Sequence, residues 1–336
     1  MKPGVLVTGG AGFIGAHACK WLAEAGVRPI VLDNLSTGHA DAVKWGPLVR
    51  ADVRDRDAVA KALRDHRVQT VMHFAASAYV GQSMQDPALY YDNNVAGMIG
   101  LLAACRDTGV RQVVLSSSCA TYGTPDRLPI TEDTPQRPIN PYGWTKLICE
   151  QMLADHARAY GVSYVALRYF NAAGADPDGM LRERHDPETH LIPLALIAAA
   201  GQIERLDVMG GDYDTPDGTC IRDYIHVADL AAAHVAAWRH VQASGPGAAL
   251  SVNLGTGQGA SVLEVIETVQ KVTGRRVPYV MRDRRPGDPA VLLADASKAQ
   301  RVLGFAPKWP NLAAMVRDAA LGFGLEVRDA KHLQRT

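Results

Sequence analysis

The chain has 336 residues, 35 basic against 35 acidic, so its formal net charge is zero, and 47% of its residues are apolar. That length suits one large α/β unit with a second lobe, and the neutral balance gives no electrostatic case for nucleic acid or an anionic membrane surface. No apolar run is long enough for a bilayer, and five cysteines (19, 105, 119, 149 and 220) without a C-x-x-C pair read as reduced thiols of a cytoplasmic protein, with no metal site indicated.

The first element is an apolar run, Val5 to Val7, with the length and β-branching of a buried parallel strand. A glycine turn follows at once, Gly9-Gly10-Ala11-Gly12-Phe13-Ile14-Gly15, and then a helical pattern closed by Gly26. Strand, glycine turn and helix in that order gather backbone N–H groups and a helix N-terminus at one point, which favours a pyrophosphate. A second strand, Pro29 to Leu32, ends in Asp33, about 20 residues beyond the glycines, where a carboxylate can accept from a ribose diol. Together they predict a dinucleotide site.

Strand and helix patterns continue to alternate. Pro47 to Val53 reads as a third strand whose end, Asp52-Val53, lies near the expected adenine edge. Asp55 to His66 reads as a helix capped by Asp55, and Thr70 to Phe74 as a strand running into Ala75-Ala76-Ser77-Ala78. A helix from about Pro87 to Thr108 carries Asn93 and Asn94, and Val110 to Ser118 is a strand ending in three serines. A proline-rich insertion, 123–141, precedes a helix from Tyr142 to Tyr160 and a strand from Ser163 to Phe170. The alternation predicts an α/β fold with a doubly wound parallel sheet over 1–171, completed by later segments. From 172 to 336 two loops, 172–190 and 210–220, interrupt helix patterns at 228–242, 261–273, 295–303 and 311–323. This half reads as a smaller lobe closing over the carboxyl edge of the sheet.

Ser118 at a strand end, Tyr142 opening a helix and Lys146 one turn later form the candidate catalytic set. Positions i and i+4 share a helix face, so the ammonium can approach the phenol oxygen and lower its pKa. Ser118 can then hold a hydroxyl against the phenolate while a hydride leaves the same carbon.

These stretches, with Leu32-Asp-Asn-Leu-Ser, His73-Phe-Ala-Ala, Tyr90-Tyr-Asp-Asn-Asn-Val, Asn140-Pro-Tyr-Gly-Trp-Thr-Lys, Leu167-Arg-Tyr-Phe-Asn-Ala-Ala-Gly, Glu188-Thr-His-Leu-Ile-Pro, Cys220-Ile-Arg-Asp-Tyr-Ile-His-Val and Arg284-Arg-Pro-Gly-Asp, carry a resemblance over residues 4 to about 305. The chain resembles the extended short-chain dehydrogenase/reductase superfamily and, within it, the UDP-glucose 4-epimerase family. The resemblance implies tightly bound NAD, a UDP-sugar substrate, a homodimer through the helices holding Asn93 and Tyr142, and inversion at sugar C4 through a 4-keto intermediate. It implies that NAD lies along Gly9, Gly12, Phe13, Ile14, Gly15, Asp33, Asn34, Asp52 and Val53. Further cofactor positions are Phe74, Ala75, Ala76, Asn93, Ser116, Tyr142, Lys146 and Tyr169.

For the substrate it implies Ser118, Tyr142, Asn171, His190, Leu191 and Met209, with Arg222 and Arg285 on the diphosphate, Asp288 on the uridine ribose and Leu292 beside the sugar. Forked, permanently charged arginines suit a diphosphate. Some members carry a lysine where this chain has Ala78, an asparagine at His190, an aromatic at Met209 and small residues at Leu181-Arg182. The alternatives are a UDP-pentose or UDP-N-acetylglucosamine 4-epimerase, a GDP-sugar 3,5-epimerase/reductase using Cys119 and His190, and a non-catalytic NAD sensor.

Overall fold

A computed structural model describes residues 4–285 and 288–328; Pro286 and Gly287 of the Arg284–Asp288 motif lie outside the described residues. The first half places β1 (Gly4–Thr8), α1 (Phe13–Glu24), β2 (Arg28–Asp33), β3 (Leu48–Arg50), α2 (Arg56–Asp65), β4 (Val68–His73), α3 (Val80–Gln85) and α4 (Pro87–Tyr90) in order. Then come α5 (Gly97–Thr108), β5 (Gln112–Ser118), α6 (Pro141–Tyr160) and β6 (Ser163–Tyr169). The second half holds β7 (Asn171–Ala173), α7 (Leu191–Ala199), β8 (Leu206–Met209), β9 (Ile221–His226), α8 (Val227–Ala243), β10 (Ala249–Leu254) and β11 (Gly259–Ser261). It ends with α9 (Val262–Thr273), β12 (Tyr279–Arg282), β13 (Val291–Leu292), α10 (Ser297–Leu303) and α11 (Leu312–Leu321).

Seven parallel strands form the main sheet in the order β10-β6-β5-β4-β1-β2-β3. The order reverses between β1 and β4, the switch point at which doubly wound sheets bind ligands. Strands buried on both faces need near-continuous apolar runs, and Val5, Leu6, Val7, Ile30, Val31 and Leu32 supply them. One face packs α2, α5 and α6; the other packs α1 and α8, with Val235, Ala237 and Val241 among the buried contacts. The short strands β7, β9, β11 and β13 form a second sheet, and β8 pairs with β12. Helices α7, α9 and α11 bury their apolar faces with β8 in a separate core.

Three expectations are corrected. The third strand covers only 48–50, so Asp52 and Val53 follow it in the loop before α2. Asp55 does cap α2, accepting from the Ala58 N–H at 3.0 Å. The helix expected over 87–108 is interrupted by a π-helical turn, Tyr91–Ala96. The wider turn sets Asn94 inward, where its amide bonds Thr145 Oγ1 (2.9 Å), the Ser77 carbonyl (3.0 Å) and the Ser77 N–H (2.8 Å). The second half is also more regular than the loops suggested, since α7 and β7 to β13 were not anticipated. Among the described residues, no helix is long and apolar enough to cross a membrane.

Candidate active site

At the glycine turn the backbone leaves no room for side chains. Gly9 has φ +70°, and a Cβ there would lie 2.6 Å from Ala75 N; at Gly15 a Cβ would lie 2.2 Å from the Gly9 carbonyl. At Gly12 a Cβ would meet nothing of the chain but that same carbonyl, at 3.3 Å, so that side of the turn is open. Gly12 is the N-cap of α1 and no side chain caps the helix, which leaves its first-turn N–H groups, from Phe13, Ile14 and Gly15, to an anion. Asp33 is buried beside it, accepting from the N–H groups of Ala11 (3.0 Å) and Leu35 (2.8 Å). These features fit a dinucleotide: a cradle open to a pyrophosphate with an acid fixed one strand away.

The other expected cofactor residues surround the same edge. Asn34 Nδ2 donates to Asp52 at 3.0 Å, and Arg54 grips Asp52 through its backbone N–H and guanidinium. Those Arg54 hydrogen bonds hold the Asp52 carboxyl well below the usual carboxylate range. Val53 is buried against Gly97 in the core, so its backbone, and not its side chain, remains to face a ligand. Phe74 and Ala75 follow β4 and donate their N–H groups to the Thr8 carbonyl; Ala76 follows them. Asn93 reaches Ser77 Oγ at 3.2 Å.

The candidate catalytic residues meet on neighbouring elements. Ser118 ends β5, pairing with Tyr169 of β6, while Tyr142 and Lys146 come from the first turns of α6. Pro141 at N1 and the Asn140 cap, which accepts from the Gly143 N–H at 2.8 Å, fix that helix start. Lys146 Nζ lies 5.9 Å from the Tyr142 ring centroid and donates to the Ser116 carbonyl at 2.8 Å. Ser116 Oγ donates to the Tyr169 hydroxyl at 3.0 Å. Burial pushes the Tyr142 phenol up, with a Ser118 hydrogen bond pulling the other way. This corrects the expectation of a lowered phenol: desolvation outweighs the Ser118 hydrogen bond in the protein alone. Burial also lowers Lys146.

Beneath Ser118 lies a buried polar network. Arg168 bonds Glu150 through Nε (3.0 and 3.1 Å) and a terminal nitrogen (2.6 Å), and the Tyr122 hydroxyl at 2.9 Å. Glu150 also accepts from Ser117 Oγ at 2.5 Å.

The expected substrate residues divide. Asn171 opens β7 beside β9, and Arg222 projects from β9, where β13 sets Leu292 opposite it. The Arg222 guanidinium pairs with Asp288. Leu292 packs against the buried cluster of Tyr122, Ile130, Phe170 and Ala294, as does Cys119, which follows Ser118 in the chain. Met209 ends β8 next to Arg282, and Arg285 is exposed. Leu191 starts α7, with His190 as its N-cap.

Sequence reasoning missed what surrounds His190. The segment 176–190 straps back across α1 and the loop after β2. Lys20 binds Asp176 (2.6 Å) and Asp178 (2.5 Å), His39 bonds the Arg184 carbonyl (3.0 Å), and Arg184 forks onto Asp41 (2.9 and 2.7 Å). A cavity of about 250 Å³ remains between strap and turn, lined by Gly12, Phe13, Thr37, His39 and Leu181. Within the strap Glu183, His185, Glu188 and His190 converge, their ligating atoms all within 4.8 Å of one another. Burial opposes charge on the imidazoles, but the two carboxylates raise His185 to about 9 and His190 to about 10. The signal was in the sequence as Glu-x-His-x-x-Glu-x-His; attention to cysteine spacing passed over it. Cys119, by contrast, lies in the apolar cluster with burial pushing its thiol up to about 12. His190 is instead bound to the Glu183 and Glu188 carboxylates.

Residues 5–255 match the NAD dependent epimerase/dehydratase family. The chain belongs to that family. It is 50% identical over 315 residues to the UDP-glucose 4-epimerase of Rhizobium meliloti (strain 1021), covering 94% of this chain and 95% of the relative. Among solved structures, the UDP-glucose 4-epimerase from Brucella ovis in complex with NAD superposes with a TM-score of 0.94 at 58% identity, covering 97% of this chain and all of that one. The Stenotrophomonas maltophila UDP-glucose 4-epimerase, with bound NAD and formylated UDP-arabinopyranose, gives 0.92 at 41% identity over 96% and 98% of the two chains. These family members share the parallel-sheet α/β architecture and the isomerase class that the residues of this chain suggested.

Proposed function

We propose that the protein is an NAD-dependent UDP-glucose/UDP-galactose 4-epimerase. The observation that carries the reading is the Ser118, Tyr142 and Lys146 set two strands from an open glycine turn, in a chain half identical to known UDP-glucose 4-epimerases. NAD would be held at the glycine turn and Asp33 and would supply the acceptor, and then the donor, of the C4 hydride. Tyr142 takes the proton of the sugar 4-hydroxyl while Ser118 holds that hydroxyl, the 4-keto sugar turns over, and Tyr142 gives the proton back to O4; the configuration inverts because the hydride would come back to the opposite face of C4. Lys146 and the Ser118 hydrogen bond are the local groups that counter the burial of the phenolate. Arg222 and Arg285 would take the diphosphate, with Arg222 released from Asp288, which is then available to the uridine ribose.

The test is conversion of UDP-galactose to UDP-glucose by the purified chain without added cofactor. The nucleotide released on denaturation is expected to be NAD and not NADP, because the Asp33 carboxylate would meet a 2′-phosphate as like charge. No conversion even with added NAD refutes the epimerase reading, and mainly NADP(H) in the extract refutes the cofactor assignment.

Leu292, opposite Arg222 in the sheet register and packed against the same cluster as Cys119, favours a second, wider substrate scope. A leucine leaves more room next to the sugar than a tyrosine would, so slow turnover of UDP-N-acetylgalactosamine is expected. Leu292→Tyr should lower kcat/KM for the N-acetyl sugar relative to UDP-galactose by about 10–200-fold, the worth of about 1–3 kcal/mol of pocket discrimination. An unchanged ratio removes Leu292 as the gate.

The protein is further proposed to be a cytoplasmic homodimer. Tyr91, in the turn with Asn93, and Trp144, on α6 with Tyr142, are exposed apolar residues, as are Val80 and Met84 of α3 and Ile99 of α5, and such residues suit contact with a second copy. Sedimentation as a monomer at micromolar concentration would rule the dimer out.

A further inference from the structure

We propose that Glu183, His185, Glu188 and His190 form a tetrahedral site for a divalent transition cation of the zinc class, which locks the 176–190 strap over the cofactor edge. The donor set is the first argument. Two imidazole nitrogens and two carboxylates match the N and O ligands that zinc takes in four-coordinate sites. The spacing is the second. His185 Nδ1 lies 3.1 Å from Glu183 Oε1 and 3.5 Å from Glu188 Oε2, while His190 Nδ1 lies 3.0 Å from Glu183 Oε1 and 2.9 Å from Glu188 Oε1. Bonds of about 2.0 Å to a tetrahedral ion require ligand atoms about 3.3 Å apart, so the His–carboxylate separations lie near that length, and the four donors, all within 4.8 Å of one another, need close only a little around an ion.

Alignment is the third. His185 Nδ1 is buried and close to both carboxylates, yet makes no aligned hydrogen bond. The carboxylate of Glu188 is in turn oriented by the N–H groups of Thr189 (2.7 Å) and His190 (2.8 Å), the kind of outer support that ligating carboxylates receive.

The position gives the ion its task. The His185 ring packs edge-on against Phe13 of the glycine turn (6.4 Å) and Tyr79 (5.8 Å), and the His190 ring lies 6.0 Å from Tyr79. One ion would therefore tie the strap to the helix that receives the pyrophosphate and to the loop beyond β4. It would also fix His190 at the start of α7, next to Leu191. The ion's role here is structural, and the site stands whether or not the epimerase reading holds.

The test is metal content and stability of the full chain, not activity. Protein purified from zinc-replete culture and desalted is expected to carry about one zinc per chain. After removal of metal by a chelator, micromolar ZnCl2 should raise its melting temperature by a few degrees, as any ligand of the native state does. His185→Ala and, as the milder change, Glu183→Gln should each lose the bound zinc and the thermal shift while keeping the far-ultraviolet circular dichroism of the parent. If His185→Ala does not fold, Glu183→Gln and Glu188→Gln decide the matter. Trace metal in the parent with no shift on adding zinc overturns the proposal. So does full zinc content in the folded glutamine variants.

Discussion

Tyr142→Phe is expected to fold, retain its cofactor and lose epimerisation by about 10²–10⁴-fold, the usual worth of one positioned acid–base group. The ring is buried against Tyr90, at a centroid distance of 6.4 Å, and phenylalanine preserves that packing. What disappears is the oxygen proposed to exchange the proton of the sugar 4-hydroxyl, which the Ser118 hydrogen bond steadies. The loss should fall on kcat with little change in KM, since the nucleotide end of the substrate is held elsewhere. Steady-state conversion of UDP-galactose, with the bound nucleotide counted in the same sample, checks both halves. A variant within about tenfold of the parent would show that another group moves the proton.

Arg168→Met should be the most damaging single change to stability, about 3–5 kcal/mol. The arginine and Glu150 have side-chain exposures of 7% and 6%, so removing the guanidinium strands a carboxylate away from water. It also leaves the Tyr122 hydroxyl without one of its partners, although that hydroxyl keeps Asn253 Oδ1 at 2.7 Å. Removing both charges as Arg168→Met with Glu150→Leu should recover much of the loss, because two apolar groups do not carry an uncompensated ion. Urea unfolding midpoints of the three proteins read this directly; a cost below about 1 kcal/mol for the single variant would show that water reaches Glu150. Since Arg168 neighbours Ser117 in the sheet register, the damage lies directly under the catalytic edge.

The elements that could be read from the sequence were those whose cause is local. The glycine turn follows from backbone clearance, the Asp55 cap from a short side-chain bond, and the buried strands from continuous apolar runs. Tyr142 and Lys146 could be paired because helix geometry alone relates positions four apart. What could not be read depends on distant partners. The π-helical turn is held by Asn94 bonding Thr145 and Ser77 in other elements, and the short strands β7, β9, β11 and β13 exist because they pair with one another. The direction of the Tyr142 shift belongs to the same class, since desolvation depends on everything packed around the ring. The His/Glu cluster stood in the sequence at a regular spacing, but its convergence depends on how a loop without regular structure is folded back.

The outermost strand of the main sheet, β10, pairs with β6 although α7, β9 and α8 intervene in the chain. During synthesis, then, the ribosome must deliver residue 254 before the sheet is closed on that side. Until then Ser163–Tyr169, buried along almost its whole length in the finished protein, stands as an unprotected apolar edge open to other chains. A chain ended at residue 248 should accordingly collect in the insoluble fraction, whereas one ended at residue 328 should stay in the supernatant. The segment between those two strands is thus made as a loop of an unfinished sheet, and its errors of folding are expected to appear as aggregation of the first half of the chain.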